Sequence, residues 1–274
     1  MSENATPHRQ PDPARGRVGV ADLLQEPGLF LGSGSAVMLQ LAVWGVGKGV
    51  AEHSNTLDRP LDRLRTTLSY VYVMGLGTDE ERRQVARMVN RAHAPIKGEG
   101  YTAFDPELQL WVAATLAEVG KQMYENIFGP LDPDSLERCY QEGWVYGTAL
   151  QVKPEMWPPT RADFEIYWEQ MEQTFSSDPQ IRHYARSLLS FRKAKWYVKP
   201  GSPFISLMTR GNLSPRAREV LALPWSERDQ RRYERVWRVV RRVYPLVPRF
   251  VRRLPARVAM ADIRRRLEAG KRLI

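Results

Sequence analysis

Cysteine is almost missing from this chain: Cys139 is the only one in 274 residues. That excludes an internal disulfide framework and any thiolate-based zinc site, and it agrees with a reducing compartment. Histidine is nearly as scarce, with His8, His53, His93 and His183 making up the whole set. No Glu stands three residues before any of them, so the paired Glu-x-x-His ligands of a di-iron carboxylate bundle are absent. The His-Glu-x-x-His pattern of zinc hydrolases and the Gly-x-Ser-x-Gly of serine hydrolases are absent too. Gly32-Ser33-Gly34-Ser35 lacks the Lys of a phosphate-binding loop. The first eight residues are polar and lack the charged-then-apolar order of a secretion signal, which sets the expectation of a cytoplasmic protein, membrane-peripheral at most.

What is present is enough apolar material for a sizeable core, 43% of residues, with eight Trp among them. Gly28 to Gly47 carries no charge over a length that would reach across a bilayer. Its five glycines, two serines and Gln40 favour a buried internal helix over a membrane span or a helix lying in the interface. Charge is placed unevenly. Residues 228–274 hold sixteen Lys/Arg against four Asp/Glu, a balance of +12, which leaves −2 of the total +10 for residues 1–227.

Helix start signals recur along the chain. Thr78-Asp79-Glu80-Glu81 is a capping box, in which the Thr hydroxyl and the Glu carboxylate satisfy each other's backbone N–H. Asp105-Pro106-Glu107 and Asp178-Pro179 pair an N-cap with a first-turn Pro, and Thr160 to Asp163 and Ser226 to Asp229 are looser boxes. Apolar residues follow at helical spacing, as in Val85, Met88, Val89 and Ala92. No alternating strand pair with a tight hairpin turn stands out. The fold expected is all-α: a single globular domain of about eight to ten helices over residues 18–227, preceded by a loose tail (1–17) and followed by a basic helical segment (228–274).

Two groups of residues carry the candidate chemistry. His93 ends the helix that Thr78 starts, on the same face as Val85 and Val89 and just before Pro95. A single axial His with an apolar pocket is all that a haem needs, and a helix-end carbonyl would accept from Nδ1–H and leave Nε2 for iron. On spacing alone, a core or helix-capping His is the more ordinary reading. Arg63, Arg65, Thr66 and Thr67 form the second group, with Arg63 and Thr67 one helical turn apart. A sheltered Arg beside hydroxyls can hold a carboxylate, whereas the plainer reading is an exposed basic turn paired with Asp58 and Asp62.

Several ordered stretches resemble the family of oxygenases typified by rubber oxygenase (latex-clearing protein) and MpaB. They are Gly34 to Ala42, Gly49 to Ser54, Arg63-Leu64-Arg65-Thr66-Thr67, Gly77-Thr78, His93-Ala94-Pro95-Ile96-Lys97-Gly98, Tyr101 to Leu116 and Trp157-Pro158-Pro159-Thr160. Together they cover roughly residues 28–160, with a weaker likeness to about 225. The resemblance implies helices around a haem b pocket, dioxygen as co-substrate, and oxidative cleavage or oxygenation of a lipophilic, isoprenoid-type molecule. It makes His93 the proximal iron ligand and places Arg63 and Thr67 near the haem. Thr66 falls where rubber oxygenase has a Lys able to ligate iron, and a hydroxyl cannot replace that amine, so no Lys-capped resting state is expected. Glu52 is the nearest counterpart of the family's catalytic Glu, with His53 as an alternative distal group. The glycines of 28–47 would then allow close approach to the macrocycle.

The basic segment interleaves Trp237, Val240, Tyr244, Val247 and Phe250 with Arg. Three explanations stand: its Arg residues pair with acidic faces such as Glu165, Glu169 and Glu172 or are simply solvated; they lie on anionic lipid; or, with least support, they bind nucleic acid. The alternative function is a non-catalytic helical carrier of haem or lipid that docks on anionic membranes through this segment.

Overall fold

The computed structural model describes residues 17–54, 56–57, 60–192 and 196–274. The expected N-terminal tail, Arg17 excepted, lies outside the described residues, as do His8 and Asp58. Helices α1 (Val20–Leu24), α2 (Ser33–Ala42), α3 (Trp44–His53), α4 (Pro60–Leu76) and α5 (Asp79–His93) come first. A short antiparallel pair, β1 (Lys97–Gly98) and β2 (Tyr101–Thr102), follows α5 directly. Next are α6 (Pro106–Phe128), α7 (Pro133–Gly143), α8 (Val145–Thr148), α9 (Arg161–Gln173), α10 (Pro179–Ser190), α11 (Ser202–Gly211) and α12 (Pro215–Val220). The basic segment forms α13 (Glu227–Val243), α14 (Arg249–Arg252) and α15 (Leu254–Glu268).

The anticipated caps are made. Asp105 accepts from the N–H groups of Glu107 and Leu108, Asp178 from those of Gln180 and Ile181, and Ser226 and Asp229 complete a reciprocal box. These contacts satisfy N–H groups that the first helical turn leaves unpaired. The axis of the fold is α6, 23 residues and roughly 35 Å long. Trp111, Ala113, Ala114, Thr115 and Met123 along it are fully buried, and α2, α7, α8 and α13 pack around it. Trp111 is held in place by an Nε1–H bond to the Leu39 carbonyl (3.0 Å) and by ring contacts with Tyr167, Trp168 and Phe175.

The uncharged stretch departs from the expected single buried helix. Residues Pro27–Gly32 form a 3-10 turn that leads into α2, and the chain then bends by 106° at Val43 into α3. Among the described residues no single helix is long and apolar enough to cross a membrane, and only this bent pair approaches the required length and composition. Its glycines are used against protein. A Cβ on Gly34 would sit 2.1 Å from Thr209 Oγ1, one on Gly45 2.7 Å from Leu108, and one on Gly47 2.5 Å from Ile181. Close helix contact, not a flat ligand, accounts for these three positions.

The basic segment is no appendage. Trp237, Ala256, Met260, Ile263, Leu267 and Leu273 are buried in the same core as Val20 and Trp111, and α15 lies along α4. Its ion pairs differ from those expected. Glu165 is taken by Arg161 (3.1 Å), while Arg252, Arg253 and Arg264 pair with Glu26, Asp22 and Glu81. The segment is thus built into the body through its apolar stripe and a few of its charges.

Candidate functional site

Helix α5 delivers His93. Thr78 Oγ1 accepts from Glu81 N–H (3.2 Å) and Glu81 Oε2 accepts from Thr78 N–H (2.7 Å), which fixes the start of the helix. Val85 and Val89 are buried on one stripe, and His93 closes that stripe half-buried. Beyond it the backbone takes the carbonyls: Ala94 N–H donates to Asn90 O (3.0 Å) and Ile96 N–H to His93 O (2.8 Å). The imidazole is left without the carbonyl bond expected of it, and its Nδ1 is buried with no partner among the described residues. A buried polar atom left unpaired costs free energy, so this one calls for an explanation.

Burial, and secondly the positive charge of Arg63, push His93 down to about 4. The ring is therefore neutral at physiological pH, the form that binds a metal. The sign of its effect on stability follows. The unfolded chain takes up this proton near 6.5 and the folded one near 4, so the unfolded state binds more protons in between, and stability falls as pH falls through that window. For a half-buried group the loss is of order 1–3 kcal/mol. Denaturation midpoints measured from pH 7 to pH 4 should drop less in His93→Gln than in the wild type, and equal slopes would contradict a buried neutral imidazole.

Arg63 comes from the second turn of α4, which packs on α5. More than a third of its surface is accessible, yet the surrounding protein withdraws enough water to hold its guanidinium below the ordinary value. Among the described residues its guanidinium makes no ion pair or hydrogen bond. Tyr184, from α10, lies within electrostatic reach of it, and the Tyr184 hydroxyl is buried and unpartnered as well. Arg63 thus lies within electrostatic reach of both His93 and Tyr184, which relates α4, α5 and α10 at the candidate site. Tyr184 was not legible in the sequence, where no motif marks it.

Thr66 and Thr67 sit on the same helix, their hydroxyls donating to the carbonyls of Asp62 (2.9 Å) and Arg63 (3.1 Å). Their protons are used within α4, which leaves the oxygens as acceptors. Glu52 and His53, at the end of α3, join a different network. Tyr101 O–H donates to Glu52 Oε2 (2.5 Å), Lys48 pairs with Glu52 Oε1 (3.2 Å), and His53 Nε2 lies 3.1 Å from the Tyr101 oxygen. Since the Tyr101 O–H is directed at Glu52, the Tyr101 oxygen is left to accept from His53 Nε2–H. The Tyr101 bond and then Lys48 hold Glu52 below the usual carboxylate range, which weakens it as a proton acceptor. Tyr101 in turn is pushed up to about 12. Among the described residues the structure records no contact of this network with Arg63 or His93.

A groove of about 390 Å³ runs along a neighbouring face of α5, beside Val145 and Thr148. Its Arg82 and Arg83 already pair with Asp79 and Glu80. Cys139 is buried, and burial first of all pushes its thiol up to about 12, so it is not a nucleophile. Among the described residues no three His, Cys, Asp or Glu side chains converge as a metal-ion cage.

The fold and these side chains define a helical protein with one uncharged imidazole and one free guanidinium at its candidate site. Residues 21–242 match the family described as "ER-bound oxygenase mpaB/B'/Rubber oxygenase, catalytic domain", and the chain belongs to that family. Relatives from Mycobacterium bovis (uncharacterized protein Mb2261) and Mycobacterium tuberculosis (uncharacterized protein Rv2237) are each 34% identical over 248 residues. Each alignment covers 87% of this chain and 97% of the relative. No solved structure matches. The family and the helical fold mark the chain as an oxygenase-type protein.

Proposed function

We propose that this protein is a haem b-dependent oxygenase acting on a lipophilic, isoprenoid-type molecule, with His93 as the axial ligand of the iron. The observation that carries the reading is a neutral imidazole with a buried, unpartnered nitrogen beside a free guanidinium, in a chain of the oxygenase family. The residues fit the group. A macrocycle brings four of its iron's ligands with it and asks the protein for one, which suits a chain with no three-ligand cage among its described residues. His93 would hold the iron. Arg63 would hold an anionic group such as a propionate, since its planar N–H donors match a carboxylate.

Bound haem would supply the dioxygen-binding iron and its redox chemistry. The chain's own part is to keep His93 unprotonated, to fix a positive charge at Arg63, and to offer the Thr66 and Thr67 oxygens as acceptors. Substrate oxidation, not storage of haem, is the role assigned here.

The deciding experiment is the visible spectrum of protein expressed with a haem precursor, with pyridine haemochrome quantitation. A Soret band with about one haem b per chain is expected of a single axial-His site. A colourless, folded helical protein would remove this reading. Arg63→Ala then separates turnover from carriage. Oxygen uptake per bound haem with an isoprenoid such as squalene should fall about 100-fold, as when one charge-stabilising donor is lost, even where some haem is given up with the propionate contact. A carrier would show no uptake in either protein.

A further inference from the structure

Away from His93 and Arg63, the outer side of the basic segment has no role yet. Val239, Val243, Leu246, Phe250, Leu254 and Val258 are all exposed, Leu246 and Phe250 to 75% and 70%. Scattered exposed apolar residues are ordinary, but a continuous run of this kind marks an interaction surface. Residues 235–261 also contain eight Arg and no Asp or Glu. Arg252 and Arg253 are turned inward onto Glu26 and Asp22, and Arg241 donates to the Asn126 carbonyl (2.9 Å). Arg235, Arg238, Arg242, Arg249 and Arg257 make no ion pair or hydrogen bond among the described residues, and all five are exposed.

The run is held outward by its own anchors. Arg252 is buried between the rings of Phe128 (4.9 Å) and Tyr244 (5.4 Å), and Tyr244 O–H donates to Glu26 (3.0 Å) while accepting from Gly28 N–H (3.1 Å). With the inner side fixed, Leu246 and Phe250 cannot fold back onto the core without breaking those contacts. The result is an outer side that keeps exposed apolar side chains and free guanidinium groups together in one segment.

We propose that this face docks the protein on an anionic phospholipid bilayer. Leu246, Phe250 and Leu254 enter the acyl boundary, while Arg238, Arg242, Arg249 and Arg257 meet lipid phosphates. Nucleic acid would use the charge and leave the apolar tips in water. A second copy of the chain would cover the tips and bring two sets of free guanidinium groups together. A lipid surface satisfies both features at once, since apolar burial and electrostatic attraction add there. Docking needs no haem, so it stands or falls separately from the reading of His93.

The test is co-sedimentation of the full chain with phosphatidylcholine vesicles and with phosphatidylcholine–phosphatidylglycerol vesicles. Strong, salt-sensitive binding to the second kind alone is expected. The double variant Arg238→Gln/Arg242→Gln should bind roughly 25-fold more weakly, about fivefold for each charge. Leu246→Ser/Phe250→Ser should lose at least about tenfold, from the apolar area no longer buried. All four residues are exposed, and unchanged circular dichroism would show that the fold is kept. The proposal is overturned if the wild type stays in the supernatant with both vesicles, or binds both equally. It is also overturned if the apolar pair can be removed without loss, or if lipid-free protein forms a dimer that the apolar variant abolishes.

Discussion

Replacing His93 with alanine is expected to strip the protein of haem, from about one per chain to a small residue, or to leave a haem with an altered ferric spectrum. The physical grounds lie in where the imidazole is placed. It stands at the end of a well-capped helix whose terminal carbonyls are already served by the following turn, so its Nδ1 stays buried without a partner. Burial and Arg63 hold it neutral. A structural His would normally repay such burial with a hydrogen bond. The controls are His53→Ala and His183→Ala. His53 is exposed and tied to Tyr101, and His183 is exposed with a 3.4 Å contact to Ser187, so neither loss should change haem content. Added imidazole gives a second readout. In a haem-deficient but folded His93→Ala protein it should restore the wild-type spectrum by filling the space of the lost ring. Full haem occupancy with an unchanged spectrum in His93→Ala would rule out this ligand assignment.

How much of this was readable in the sequence depends on the range of each interaction. The caps at Thr78, Asp105 and Asp178 involve residues two or three apart, so their chemistry is visible in any short window. The same holds for His93 as the last residue of an apolar stripe. The bend at Val43 is different, because an uncharged stretch has no polar face to give a period and no Pro to mark a break. The meeting of Arg63 with Tyr184 and of Glu52 with Tyr101 depends on how helices distant in sequence pack, which no local pattern encodes. Glycines 34, 45 and 47 were legible as sites of close approach, but not as to what approaches: it is Thr209, Leu108 and Ile181. The inner stripe of α15, Ala256, Met260, Ile263 and Leu267, has helical spacing, yet the density of Arg around it set the segment apart from the main domain. Family likeness supplied the role proposed for His93. The structure added the Arg63 charge beside it, which the spacing of 63 and 93 could not.

Removing one partner of the Glu26–Arg252 pair should cause the largest stability loss. Both side chains are almost wholly buried, at 5% and 3% exposure, with Arg252 Nη1 3.0 Å from Glu26 Oε2. The pair is imperfect, since Arg252 Nε is buried without a partner. Burial outweighs the neighbouring positive charges and the Tyr244 bond, so the Glu26 carboxyl is raised above its usual range. That direction means the carboxylate is not a net gain in itself: a group raised on folding contributes most below its unfolded pKa and loses that contribution as pH rises through the folded value. Arg252→Met would leave Glu26 charged in a dry site and should cost about 3–5 kcal/mol, or roughly 10 °C in Tm for a chain of this size. Glu26→Gln should cost less, because its amide still accepts from Arg252 and Tyr244 while the Arg charge keeps the Phe128 and Tyr244 rings. The double variant Glu26→Gln/Arg252→Met removes both charges together and should recover most of the loss, since a buried ion pair often trades evenly against apolar packing. Thermal melts of the three proteins measure the coupling directly. Additive losses would mean that the two charges act independently, and that the segment carrying Leu246 and Phe250 is held by its other contacts instead.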